Sequence, residues 1–296
     1  HIIRYASFAF AILGMVSCSE EQETALRPQD AKSTPMTFLV SYPGQATRAT
    51  ETSFEQNDRI GLYVADAKAQ LEIGGNLVNN EALTYNGSKW AAARTLYWDK
   101  GTYTAYAYYP YMEDVSSITD QPFSVVLDQS TAKSKETLGG YEASDLLFAS
   151  SKNISASASP IPLNFKHIMS KLKIRLIKGE DFEGEMPTHA QVTIHSTVPT
   201  ATIDLQAGVA TRYVKGTQQS IIAHQESDYI YSAIIVPQRI ENRRPLIEVV
   251  MKGVSYLYES RFQFKPGTEH LVNFIISDNP DQVKIEIGGE IQNWGK

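Results

Sequence analysis

From Met36 onward the chain is built of short runs in which apolar and polar residues alternate, separated by Gly, Pro, Asn and Asp every 8 to 12 residues or about that. A period of two puts successive side chains on opposite faces of an extended chain. The pattern therefore predicts antiparallel strands and turns. Residues 102–109 are the clearest case, with Tyr103, Ala105, Ala107 and Tyr109 on one face and Thr104, Tyr106 and Tyr108 on the other. Tyrosine on both faces implies that both are covered. Further strands are expected at 60–64, 123–127, 172–177, 192–194, 229–236, 246–251, 256–264 and 271–276. The first run places Phe38, Val40 and Tyr42 on one face, and the last keeps Val283, Ile285, Ile287 and Ile291 in a period of two through Gly289. No segment sustains a long helical period. The class is all-β, of the sandwich or barrel kind.

Residues 149–162 (ASSKNISASASPIP) are poor in bulky side chains and end in two prolines. This composition predicts a boundary between an N-terminal domain, 36–155, and a C-terminal domain, 156–296. Each is long enough to bury its own core. Residues 18–35, rich in Glu, Gln, Thr, Ser and Pro, read as a flexible tether.

With 42% hydrophobic and 20% charged residues the chain is globular, and a net charge of −6 without basic clustering argues against nucleic acid as a partner. Glycine loops for phosphate and the GxSxG and HExxH motifs are all missing. His167, His189, His195, His224 and His270 are scattered, and metal ligation would need tertiary proximity. His167 is read instead as fixing the start of a strand by a hydrogen bond. Lys171, Lys173 and Arg175 alternate with Leu172, Ile174 and Leu176, a cationic row read as protecting an edge strand from wrong pairing. Tyr103, Tyr106, Tyr108, Tyr109 and Tyr111 could form a stacking platform for sugars, although buried core positions suit them better. No cofactor, metal or catalytic site is expected.

Residues 2–17 form an apolar run with one charge, Arg4, followed by Cys18, the only cysteine, and the acidic stretch 19–23. The order of basic, apolar and small residues is that of an export signal. Met15, Val16 and Ser17 before Cys18 resemble the lipobox of bacterial lipoproteins, with Met15 in place of the usual Leu. The expectation is a signal peptide over 1–17 and acyl chains on Cys18. The acidic stretch resembles the tag that sends lipoproteins of Bacteroides-like bacteria to the outer face of the outer membrane.

Several segments, in order, resemble the fimbrillin-like proteins of the Bacteroidales. FEQNDRIGLY at 54–63 is similar to their Phe-x-x-Gly-Asp-x-Ile-Gly-Leu-Tyr strand, with Asn57 where they carry Gly. LYW at 96–98, AYYP at 107–110, DLLFA at 145–149, FKHIMSKL at 165–172, FKPGTEH at 264–270 and IQNW at 291–294 look like their later segments. The resemblance implies two tandem transthyretin-like β-sandwich domains and a surface lipoprotein of the outer membrane that serves as a fimbrial (pilus) subunit or adhesin. Its partners would be other fimbrial subunits, membrane lipid through the acyl anchor, and a surface receptor or glycan. The resemblance further implies that an arginine-specific protease removes the first strand and that a strand of the next subunit fills the groove. Arg48 is the candidate cleavage site, since Pro28 follows Arg27 and hinders cutting there. Phe38, Val40 and Tyr42 would lie on the removed strand, and Val283, Ile285, Ile287 and Ile291 on the donated one. The alternative is a non-polymerising surface lipoprotein that binds glycans.

Overall fold

The structure is a computed structural model that describes residues 33–44 and 53–295. The first half contains β1 (Phe38–Ser41), β2 (Arg59–Asp66), β3 (Val78–Tyr85), β4 (Trp90–Ala92), β5 (Thr102–Tyr109) and β6 (Gln121–Ser124). After the five-residue helix α1 (Gly140–Ser144) come β7 (Leu147–Ser155), β8 (Ile161–Asn164) and β9 (Lys166–His167). The second half contains β10 (Ser170–Lys178), β11 (Gln191–Thr197), β12 (Thr200–Asp204), β13 (Val209–Arg212), β14 (Gln219–Ile222) and β15 (His224–Ser227). It ends with β16 (Ile230–Ile235), β17 (Gln238–Met251), β18 (Val254–Phe264), β19 (Thr268–Ile276) and β20 (Lys284–Gln292). Among the described residues no helix is long and apolar enough to cross a membrane.

The first half is organised on a six-stranded sheet of order β4-β3-β2-β5-β7-β9. One face, with Ile60, Leu62, Val64, Ala105, Ala107 and Leu147, packs on β8 and on Met36, Leu96 and Trp98. The other face carries Tyr63, Tyr106, Tyr108 and Phe148 into a second core shared with Ala201, Ile203 and Ala210 of the β13-β12-β6 sheet. Contact there is close: a Cβ on Gly208 would lie 2.1 Å from the Phe148 ring. Both faces of β5 are thus covered, as its tyrosines imply, and Tyr103, Tyr106, Tyr108 and Tyr109 are buried. They cannot form a stacking platform.

The second half packs a five-stranded sheet, β15-β16-β10-β19-β20, on a four-stranded one, β14-β11-β17-β18. Leu172, Ile174, Val272 and Phe274 from the first meet Val192, Ile194, Ile247 and Val249 from the second in one core.

Two expectations change. The stretch 149–162 is no linker. It supplies most of β7 and the start of β8, and Ile161, Leu163 and Phe165 belong to the first core. Its small residues sit beside tyrosine-rich β5, with Ala149 opposite Ala107 and Ser150 opposite Tyr106, where bulk is already supplied. Phe165 is the last buried residue of the first core; from Ile168 onward the clustered buried apolar residues belong to the second, which β2, β5 and β7 already enter with their other face. Pairing also begins before Met36, since Trp98 N–H donates to Thr34 O at 3.0 Å. The second change concerns β10, which is an interior strand between β16 and β19. Lys171 is buried, 2.9 Å from Glu226 and 3.3 Å from Glu269, and Lys173 lies 3.0 Å from Glu226. Lys171 and Lys173 are neutralised by Glu226 of β15 and Glu269 of β19, while Arg175 is exposed; the row does not guard an edge.

Candidate functional site at the two terminal strands

Among the described residues β1, a four-residue strand, pairs along one side only, parallel to β8, with Phe38 opposite Ile161 and Val40 opposite Leu163. Parallel pairs are slightly weaker per residue than antiparallel ones. The alternation seen in the sequence decides which side chains reach inward: Phe38, Val40 and Tyr42 pack on the first core, while Leu39 is 60% exposed. Tyr42 also meets Phe54 edge-on, with centroids 5.0 Å apart. Burial pushes the Tyr42 hydroxyl pKa far above its ordinary value, with the nearby Asp145 carboxylate adding to it.

On its other side β1 faces β4 across a cleft of about 610 Å³ lined by residues 36–40 and 88–96 together with Phe54 and Tyr85. Ahead of the strand, Met36 N–H donates to Leu96 O at 2.7 Å. The groove that β1 fills has an apolar floor in the first core and is flanked by β8, whose Ile161 and Leu163 are only 2% and 0% exposed. Taking β1 away would uncover that floor and leave the Thr37- and Ser41-bonded amides of Ile161 and Phe165 without partners. Such a groove accepts an extended peptide through its backbone groups and alternate side-chain pockets.

β20 is the edge strand of the five-stranded sheet, antiparallel to β19. Val283 and Ile285 pack on the second core, but the period of two does not survive Gly289. Val272 is opposite Ile287 and Leu271 opposite Gly289, so Gly288 is an extra residue in the ladder. This bulge moves Ile291 to the face opposite Ile287, and both are exposed, at 51% and 64%. Glu290 ties the strand back, 2.8 Å from Lys265 Nζ and 3.6 Å from His270 Nδ1.

The ends of the two strands meet. His167 Nδ1 lies 2.8 Å from Asp145 Oδ1, as expected of a residue fixing the start of a strand, and its ring stacks on Trp294 with centroids 3.9 Å apart. Nothing in the hydrophobic pattern signalled that contact; only the aromatic in the closing segment 291–294 hinted at it. Cys18 and Arg48 lie outside the described residues.

Residues 47–294 match the model of a family described as fimbrillin-like. A curated relative from Bacteroides ovatus, named as a candidate fimbrium tip subunit, is 26% identical over 193 residues, or 59% of this chain. The match spans 35% of that relative's length. Two crystal structures share the fold. A candidate cell adhesion protein from Bacteroides ovatus superposes with a TM-score of 0.67 at 18% identity, covering 88% of this chain and 97% of the other. Another from Bacteroides uniformis gives 0.64 at 20% identity, covering 85% and 96%.

Proposed function

We propose that this chain, which belongs to the fimbrillin-like family, is a fimbrial subunit or adhesin displayed on a bacterial surface and assembled by exchange of terminal strands. In this reading Cys18 carries the acyl anchor, and cleavage after Arg48 frees the segment that holds Phe38, Val40 and Tyr42. A neighbouring subunit then lays an extended strand in the place of β1, alongside Ile161 and Leu163 of β8, and the run from Val283 to Ile291 is the donor. The role is structural and adhesive. The observation that carries the reading is the pairing of β1: a short parallel strand, bonded on one side, plugs an apolar floor that any replacement strand would have to cover again.

The test uses protein beginning at Ser19, treated with an arginine-specific protease and run unboiled on a denaturing gel. A ladder of detergent-resistant multimers is expected, absent in Arg48→Ala and in a chain ending at Gln282. Cleavage at Arg48 with monomer alone on the gel would overturn strand exchange. The glycan alternative loses much of its support, because four of the five tyrosines offered for stacking are core residues and only Tyr111 is partly exposed.

A further inference from the structure

Beyond Ser277 the described chain buries a single residue, Trp294. Its ring partner belongs to the first half of the molecule. The indole lies face to face with His167, with centroids 3.9 Å apart and planes within 14°. Tyr42, just past β1, meets the same imidazole edge-on at 6.0 Å and 81°. One or two residues beyond Tyr42 and Trp294, backbone touches backbone. A Cβ on Gly44 would lie 1.1 Å from the Gly295 carbonyl oxygen, and one on Gly295 would lie 2.9 Å from the Pro43 carbonyl oxygen. Both glycines have positive φ, +81° and +88°, so neither position suits another residue. His167 cannot move aside, because Asp145 holds it at 2.8 Å and its side chain is 2% exposed.

We propose that the ends of β1 and β20 form a reciprocal latch around His167, so that the last strand stays on its own subunit until the first has left. The use of such a device rests on the strand-exchange reading above; its existence does not. Apart from Trp294, β20 is held by its ladder to β19, the Glu290 contacts and the partial packing of Val283 and Ile285. Its other side chains point into solvent. Loss of Tyr42 and Gly44 removes the ring that meets the edge of His167, on which Trp294 stacks, and the backing of Gly295. A donor strand would then become free only in a subunit whose own groove is already open, and an uncleaved subunit could not act as a donor.

Amide hydrogen exchange on the full chain, without protease, tests the coupling. Trp294→Ala is expected to speed exchange about tenfold or more in β20 and equally in β1. Gly44→Ala adds a methyl and removes nothing, and should speed exchange in β20 as well as locally. Ile291→Ala, at an exposed position of β20, should leave β1 unchanged. Acceleration confined to β20 in the first variant, or to β1 in the second, would overturn the latch. A companion experiment mixes uncleaved Trp294→Ala with protease-treated chain ending at Gln282. The variant should form a detergent-resistant heterodimer that uncleaved wild type does not. Coupled exchange without the heterodimer would keep the latch and overturn strand exchange; heterodimer formation by uncleaved wild type would overturn the latch.

Discussion

Single residues carry much of what makes this chain specific. Gly61 lies opposite Tyr108, and a Cβ there would come within 2.3 Å of the tyrosine ring, whose hydroxyl sits 2.5 Å from Asn80 Oδ1. Asn57 has φ +76°, a conformation open to Gly and tolerated by Asn, which explains how it replaces the glycine of related strands. Lys171 is the most consequential charge. Burial alone would lower its pKa, but Tyr141, Glu226 and Glu269 raise it well above the ordinary value. Removing it in Lys171→Met would take the cation from Glu269 and leave Glu226 with Lys173 alone, at an expected cost of about 3–5 kcal/mol in urea unfolding at neutral pH. Burial alone would raise the Glu226 pKa, but Lys171 foremost, then Ser232 and Lys173, hold it at about 2 against an ordinary 4.5. A carboxyl depressed on folding contributes stability that is complete above its unfolded pKa and is lost as pH falls through 4.5 toward 2. Glu226→Gln should therefore flatten the acid limb of a stability–pH curve in that window, by up to about 1.4 kcal/mol per pH unit. An unchanged slope would show that the pair contributes nothing.

At the scale of elements, the groove beneath β1 predicts a contrast. Leu163→Ala should destabilise the intact chain by about 2–5 kcal/mol, because its side chain is fully enclosed. Leu39→Ala, on the outward face of β1, should change stability by less than about 0.5 kcal/mol. Equal effects in thermal or urea unfolding would contradict the assigned faces. How legible these elements are in the sequence follows from what each one packs against. Strands with one more polar face, or with tyrosines on both, announce themselves: β1, β5, β10 and β19 follow the alternation, whereas β2 is a continuous apolar run buried on both faces. β7 and β8 do not, because their small residues and prolines share the composition of a linker, and only the neighbours Tyr106 and Phe38 show why that composition fits. Interior and edge strands look alike when charges alternate, so the place of β10 depended on Glu226 and Glu269, which lie 55 and 98 residues away along the chain or about that. The bulge at Gly288 was likewise invisible, since a glycine fits either register.

The whole molecule is tied together more tightly than its two cores suggest. β6, from the first half, pairs with β12 of the second, and Gln129, fully buried, exchanges hydrogen bonds of 2.8 and 2.7 Å with the backbone of Ile234. Such interlocking predicts one cooperative unfolding transition, with calorimetric and van't Hoff enthalpies in agreement. Two resolved transitions would show the halves to be independent. β1 and β8 point the same way. A replacement strand that keeps this direction leaves every subunit oriented like the last, because donor and acceptor are different surfaces of one chain and no two-fold axis can relate them. If subunits exchange strands as proposed, growth by that rule would be one-way, and the fibre would have chemically unlike ends: an unfilled groove at one, an unspent strand at the other.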